Sequence, residues 1–226
     1  MKQYKCLLFD LDDTLLDFKI AEKFAFNKLM EQNNLPLTED VFQRYCTINK
    51  AVWDDFEKHL LTADEVKYKR FELFCQAYAL PLDAVVLGDQ YLENLSKSYE
   101  LIEGAIDLLD RLKSNYKLVL VTNGLSKVQN PRIHSSRMNE YFPLVFISEE
   151  VGCSKPSNEF FQHVFNHLGE ITKEDILIIG DSMSSDMLGG RNFGIDTCWF
   201  NPNQQARKFD VTFEITHLNE LNKILL

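Results

Sequence analysis

The chain alternates between short apolar runs and longer segments in which apolar residues recur at helical spacing. The runs are apolar on both faces, which is typical of buried parallel strands. They occupy residues 6–9, 118–121, 144–147, 176–179 and 197–200, with a weaker sixth run at 211–215. Because helical patterns lie between most of them, the sequence predicts an α/β fold with a doubly wound, mainly parallel, Rossmann-like sheet.

Residues 18–100 break this alternation. They contain no clear strand pattern and many helical ones, such as that of Phe26 and Leu29. A single crossover helix needs far fewer residues. We therefore predict a Rossmann-like core of residues 1–17 and 101–226 with an inserted, all-helical domain of residues 18–100. The alternative is a helical layer that packs on the sheet without a functional part.

Polar residues follow the predicted strands at the end where open α/β sheets bind their ligands. The first strand is followed by Asp10 and Asp12, which lie on one side of an extended segment because they are two positions apart. Later strands bring further polar groups to the same edge. These are Thr122, Asn123 and Gly124 after the second strand, Lys155 after the third, and Asp181 and Asp186 after the fourth.

Three carboxylates, those of Asp10, Asp12 and Asp181, are expected to meet at this edge. Their mutual repulsion in a dry site requires a neutralising cation. Oxygen ligands at few positions, with room for water and substrate oxygens, favour Mg²⁺. The sequence therefore predicts a magnesium site.

The other polar residues suit an anion. Thr122 offers a hydroxyl, the turn at Asn123 and Gly124 can present backbone N–H groups to a phosphate, and Lys155 adds positive charge. A metal, a lysine and amide donors together are what phosphoryl transfer needs, and a carboxylate can act as its nucleophile. Each feature alone also fits an ordinary turn or a surface lysine, so the prediction depends on their combination.

Composition narrows the choice of partners. The 226 residues carry a formal net charge of −10, with 45% apolar and 26% charged residues, as in a soluble globular protein. An acidic chain argues against a nucleic-acid backbone or an anionic membrane as the main partner, but a small phosphorylated metabolite needs only local positive charge. The five cysteines lack metal-ligand spacing, which favours reduced thiols. We expect a cytoplasmic monomer or small homo-oligomer.

Four motifs in order, DLDDTLLD, VTNG, SKP and GDSMSSDMLGG, resemble those of the haloacid dehalogenase superfamily of phosphohydrolases, in members with a helical cap. The resemblance implies that Asp10 is the nucleophile and that Asp12 is the general acid and base. It also implies that Thr122 binds the transferring phosphoryl group and that Lys155 neutralises charge. Dehalogenating members lack a carboxylate at the position of Asp12, so its presence favours phosphate chemistry.

The same resemblance implies a ligand set for Mg²⁺. Asp181 would bind the ion together with the Asp10 carboxylate and the Asp12 backbone carbonyl. Asp186 would be an outer ligand or would orient the metal shell. Asp13 has no role in the family's chemistry, and we interpret it as structural.

Longer stretches, INKAVW, YFPLVFISEEVGCSKP and GDSMSSDMLGGRNFGIDTCWFN, resemble the bacterial house-cleaning pyrimidine 5′-nucleotidases. This resemblance implies hydrolysis of nucleoside monophosphates. In the cap, Trp53 could stack on a base and Asn49 could bond a pyrimidine edge, although Trp53 fits the cap's own core equally well. Pro131 departs from the family pattern, because proline in a helix interior breaks or bends the helix.

Three other functions share some of these features. A phosphotransfer receiver domain uses similar residues, but it has no acidic pair after the lysine and no large insertion. A sugar-phosphate phosphatase or phosphomutase of the same superfamily shares the core motifs and differs in the cap, so it stays open. A binding protein without catalysis is disfavoured by the complete motifs.

Overall fold

The computed structural model describes residues 3–58 and 60–225. The outermost predicted core residues, 1, 2 and 226, and residue 59 of the predicted cap lie outside the described residues. The chain forms two compact units. The core unit comprises Met1–Asp17, Glu100–Ser126 and Ile133–Leu226, and the helical unit comprises Phe18–Tyr99 and Lys127–Arg132.

The core unit contains a six-stranded sheet in the described part of the chain. Its strands are β1 (Cys6–Phe9), β2 (Lys117–Thr122), β3 (Leu144–Ile147), β4 (Ile176–Gly180), β5 (Asp196–Phe200) and β6 (Phe213–Ile215). Every neighbouring pair is parallel, in the order β3-β2-β1-β4-β5-β6. The predicted doubly wound α/β fold is confirmed, and the strand order reverses at β1, which makes the end of β1 the switch point.

Helices connect these strands. The helices that lie wholly or partly in the core unit are α5 (Ala105–Leu112), α6 (Ser126–Ser135), α7 (Ser148–Val151), α8 (Asn158–Asn166), α9 (Leu188–Phe193) and α10 (Leu221–Leu225). Short 3₁₀ turns cover Met138–Glu140, Lys173–Asp175 and Leu218–Glu220, and a π-helix covers Met183–Met187.

Both faces of the sheet are buried, as the continuous apolar runs predict. Alternate residues of β1 enter different hydrophobic clusters. Leu7 and Phe9 pack on one face with α5 and α10 residues, whereas Cys6 and Leu8 pack on the other with residues of α8. The central strand is therefore fixed from two sides, and its end is a rigid place for a functional side chain.

The helical unit contains α1 (Phe18–Gln32), α2 (Glu39–Glu57), α3 (Ala63–Tyr78) and α4 (Ala84–Leu95). Thr38, Thr62 and Asp83 begin three of these helices with side-chain caps on backbone N–H groups. Stacked and edge-on rings form its interior, with Tyr45 against both Phe26 and Phe71. No helix in the described ranges is long and apolar enough to cross a membrane.

Residues 127–132 differ from the prediction, which assigned them to the core. They group with the helical unit, where the buried Arg132 guanidinium donates to the Ser98 carbonyl at 2.8 Å and to the Gln129 side chain at 2.9 Å. Pro131 was predicted to break or bend its helix, and α6 continues through it without a break. The local pattern did not predict the grouping with the helical unit, because the bond from Arg132 to Ser98 is long-range.

Candidate active site at the carboxyl edge of the sheet

Asp10 is the first residue after β1, at the switch point of the sheet. Its backbone N–H donates to Ile179 of β4 at 2.9 Å, so the ladder of the sheet fixes its position. The turn that follows is tight, with Asp13 in the left-handed region at φ 55°, a conformation that aspartate adopts more easily than most residues. This turn brings the Thr14 hydroxyl back to donate to Asp10 Oδ2 at 3.3 Å.

Lys155 joins three elements at this point. Its buried Nζ donates to Asp10 Oδ1 at 2.5 Å, to Asp186 Oδ1 at 2.7 Å and to the Val121 carbonyl at 2.9 Å. An ammonium group has three protons, and here each has an acceptor. The amine is therefore fixed between two carboxylates, and it neutralises only part of their charge.

The loop after β2 holds Lys155 in place. The Asn123 amide donates to the Lys155 carbonyl at 2.8 Å and accepts from the Lys155 N–H at 2.9 Å. The Gly124 N–H donates to Thr122 Oγ1 at 3.2 Å. Asn123 and Gly124 were predicted to present backbone N–H groups to an anion, but the Gly124 N–H is engaged within the protein, and the Asn123 side chain acts on the backbone that carries Lys155.

The π-helix positions Asp186. The N–H groups of Asp186 and Met187 both donate to the Ser182 carbonyl at 3.1 Å, and this wide turn follows β4 directly. Asp186 Oδ2 accepts from the Ser182 N–H at 3.1 Å, while its Oδ1 faces Lys155. Gly180 allows this return, because a Cβ at that position would overlap the Asp186 carboxylate. Single π turns occur often at functional sites.

Asp181 completes an acidic cluster. The Trp199 indole donates to the Asp181 carbonyl at 2.8 Å and fixes the backbone there. One carboxylate oxygen each from Asp10, Asp181 and Asp186 lies within 4.8 Å of the others. Oxygen donors converging at this separation are suited to a hard divalent cation such as Mg²⁺.

The electrostatics of the cluster point the same way. Burial raises the pKa of Asp10 to about 7, an effect that Lys155 opposes and Asp186 reinforces. Burial, together with the carboxylates of Asp10 and Asp186, also raises the pKa of Asp181 well above its usual range. Burial alone would lower the pKa of Lys155, but the same two carboxylates outweigh it and raise the pKa. Because the pKa values of Asp10 and Asp181 are raised, ionisation of all the acids near neutral pH requires a further cation, which the donor set fits.

Asp12 and the two predicted cap residues lie outside this cluster. The Asp12 side chain is half-buried and is not among the three converging carboxylates. Asn49 and Trp53 belong to the helical unit. There the Asn49 amide donates to Glu22 Oε1 at 2.6 Å and accepts from Arg70 at 2.8 Å, so both its nitrogen and its oxygen already have a partner within the helical unit.

Trp53 is half-buried in the helical unit. Its ring meets Phe56 edge to face, with centroids 5.5 Å apart, and the Arg70 guanidinium lies 5.8 Å from it. This is a cation–π contact.

Sequence reasoning missed the partners of the site residues, namely Thr14, Glu22, Ser182 and Trp199. Only Thr14 had a visible signal, because it lies four residues after Asp10 in a tight turn.

Comparison with known proteins gives a consistent result. A family model described as haloacid dehalogenase-like hydrolase matches residues 4–194. The HAD-hydrolase YfnB of Bacillus subtilis is 41% identical over 227 residues, which cover 100% of this chain and 97% of that protein. A crystal structure of YfnB bound to magnesium has a TM-score of 0.94, with 99% of each chain covered.

Two further relatives are named pyrimidine 5′-nucleotidases. PynA of Streptococcus pneumoniae is 35% identical over 221 residues, which cover 96% of this chain and 93% of that protein. YjjG of Escherichia coli is 30% identical over 222 residues, which cover 97% and 96%. These similarities extend over both compact units.

Proposed function

Because the chain belongs to the family of haloacid dehalogenase-like hydrolases, as its motifs predicted, we propose that it is a Mg²⁺-dependent phosphatase of nucleoside 5′-monophosphates, with a preference for pyrimidine nucleotides. The observation that carries the chemistry is the fixed Lys155 amine between Asp10 and Asp186 at the switch point of the sheet. The preference for pyrimidine nucleotides is supported by the names of PynA and YjjG.

In the proposed reaction, a carboxylate oxygen of Asp10 attacks phosphorus. The new bond joins Asp10 to phosphorus as an aspartyl-phosphate, and the bond from phosphorus to the ester oxygen breaks. Lys155 holds Asp10 Oδ1 and Thr14 lies at Oδ2, so the nucleophile is oriented before substrate arrives. Thr122 is proposed to bind the transferring phosphoryl group, and the positive charge of Lys155 is proposed to neutralise the nucleophile and the phosphate.

Asp12 is proposed to move the protons. It gives a proton to the leaving nucleoside oxygen in the first step. In the second step it takes a proton from the water that attacks phosphorus, and phosphate and a free Asp10 carboxylate result. It lies two residues after the nucleophile and outside the three-carboxylate cluster.

Asp10 and Asp181, with the Asp12 backbone carbonyl, are proposed to hold Mg²⁺. The ion would supply positive charge that stabilises the transferring phosphoryl group. Both oxygens of Asp186 already accept hydrogen bonds, from Lys155 and from the Ser182 N–H. We propose that Asp186 orients the site or acts as an outer ligand of the ion.

The helical unit is proposed to read the leaving group. Trp53 offers a ring face to the base. The hydrogen bonds from Asn49 to Glu22 and from Arg70 to Asn49 fix the Arg70 guanidinium beside this ring. In this proposal Asn49 orients Arg70 rather than bonding the base, which changes the role the sequence predicted for it. The alternative is a sugar-phosphate phosphatase or phosphomutase. It would use the same core chemistry, but its substrate has no base to stack on Trp53.

The decisive experiment measures phosphate release from a panel of pyrimidine and purine monophosphates and sugar phosphates, with and without Mg²⁺. We expect the highest kcat/KM for pyrimidine nucleotides and loss of activity after chelation. Asp10→Asn should abolish turnover while the circular dichroism spectrum is kept. A preference for hexose phosphates would reject the nucleotidase assignment, and full activity of Asp10→Asn would reject the covalent mechanism.

Trp53→Ala tests the reading of the leaving group. It should raise KM for nucleotides more than KM for a generic aryl phosphate, which lacks the base. Equal effects on both substrates would show that Trp53 serves only the packing of the helical unit. Cytoplasmic location and oligomeric state stay predictions.

A further inference from the structure

We propose that His163 and His167, on the outer face of α8, form a binding site for a divalent late transition-metal ion such as Ni²⁺, Cu²⁺ or Zn²⁺. The site is separate from the carboxylate cluster and different in chemistry. Imidazole nitrogens suit these ions, whereas Mg²⁺ prefers oxygen.

The two histidines are spaced to chelate. His163 lies in α8, and His167 is the residue that ends it, four positions later. Residues four apart are neighbours on one helical face, and two histidines at this spacing form one side of known helical metal sites. Their ring centroids lie 4.7 Å apart, with the planes inclined by 37°. The rings are therefore already adjacent and need little rearrangement to share an ion.

One hydrogen bond sets the protonation of His167. Its Nδ1 lies 2.8 Å from the His163 carbonyl oxygen, which can only accept. Nδ1 must then carry the proton, and in the neutral ring the lone pair is on Nε2. A ring nitrogen that donates to a carbonyl while the other binds metal is the usual arrangement of histidine ligands.

A phenylalanine of the edge strand restricts both rings. Phe146 of β3 meets His163 at 5.7 Å and His167 at 5.4 Å between centroids, edge to face in each case. Phe146 is itself buried in the core unit, so it is a firm support. The two histidines remain exposed, which leaves space for water to complete the coordination of an ion.

The site lies away from the proposed chemistry. α8 begins at Asn158, shortly after Lys155, and at 1.5 Å per residue His167 is roughly 14 Å further along the axis. Neither histidine is among the residues that contact Lys155 or the acidic cluster. Loss of the histidines should therefore leave phosphate release unchanged.

The test is calorimetric titration of the untagged protein with Ni²⁺ in excess Mg²⁺, which keeps the carboxylate cluster occupied. We expect one Ni²⁺ site whose affinity falls at least about tenfold in His163→Ala and in His167→Ala, the scale on which even indirect partners of a ligand act. Bound Ni²⁺ should also raise the Tm of the wild type.

The matched control moves one ring without changing the number of histidines. In Gln162→His/His163→Gln the histidines are five apart and leave the common face, so Ni²⁺ affinity should fall as in the alanine variants. His134→Ala and His217→Ala, outside the pair, should bind as the wild type does. Wild-type affinity in the relocated variant, or loss of binding in His134→Ala or His217→Ala alone, would overturn the proposal.

Discussion

The Lys155 amine lies 2.7 Å from Asp186 Oδ1, and both side chains are only 1% exposed. Burying an ion pair removes both charges from water, and its stability depends on complete bonding. Here the amine also contacts Asp10 and the Val121 carbonyl. Lys155 thus links Asp10, at the end of β1, to Asp186 in the π-helix. The same contacts therefore contribute both to stability and to the geometry of the site.

The first prediction concerns Lys155→Met. Removal of the amine leaves the carboxylates of Asp10 and Asp186 buried without their cation, so the free energy of unfolding should fall by about 3 to 5 kcal/mol. Urea unfolding followed by circular dichroism measures the change. Lys155→Met/Asp186→Asn should recover part of the loss, because one of the unpaired charges is removed. Unchanged stability of the single variant would show that the buried pair does not hold the core unit together.

The second prediction concerns Gly180→Ala. The added Cβ overlaps the Asp186 carboxylate and should move it away from Lys155 and Ser182. We expect kcat to fall about tenfold or more, because the site depends on exact placement of charged groups. Phosphate release under saturating substrate measures it.

Gly190→Ala is the matched control for this change. Its Cβ meets the side chains of Ile178 and Thr197, so it strains the same region without touching Asp186. Both variants should have a lower Tm, but only Gly180→Ala should lose activity. Equal losses of kcat would mean that general strain, and not Asp186, is responsible.

The strands and the polar edge could be predicted because their causes are local. The runs at 6–9 and 144–147 match β1 and β3 to the residue, since continuous apolar sequence ends where charge or turn residues begin. The approach of Asp10 to Asp181 then follows from the parallel topology, because β1 and β4 are neighbours.

The remaining features depend on contacts that no local pattern encodes. The π turn at Met183–Met187 shares the apolar spacing of an ordinary helix, and only the bonds to Ser182 reveal it. Residues 127–132 group with the helical unit, to which Arg132 bonds through the Ser98 carbonyl. Asn49 was interpreted as a ligand residue because its partners Glu22 and Arg70 are distant in sequence.

The third prediction tests the role of Asn49. Asn49→Ala leaves Glu22 without its amide donor and the buried Arg70 without its amide acceptor. Each unsatisfied buried group costs about 1 to 3 kcal/mol, so the Tm should fall in the absence of any substrate. Thr47→Ala is the control, because it removes an exposed hydroxyl from the same helix and should change stability by less than about 0.5 kcal/mol. Equal Tm values for the two variants would contradict the structural role of Asn49 and favour the direct contact with the base that the sequence predicted.

The fourth prediction concerns Glu220 and acid stability. Glu220 Oε1 accepts from the backbone N–H groups of Thr216 and His217 at 2.9 Å, and the Thr216 hydroxyl also donates to it. These bonds favour the ionised form and hold the pKa of Glu220 below its usual value. Since the folded protein then binds fewer protons than the unfolded chain, this stabilisation is complete above the unfolded pKa and is lost as pH falls through the folded one.

Glu220→Gln should therefore lower the Tm near pH 7 by up to about 2 °C and should equal the wild type at the lowest pH at which folding persists. Thermal unfolding at about pH 7, 5 and 3 measures the difference. Glu170→Gln is the control, because it removes one exposed charge from the same unit. A gap between wild type and Glu220→Gln that stayed constant with pH would mean that the carboxylate's charge contributes nothing and that only its shape caps the turn.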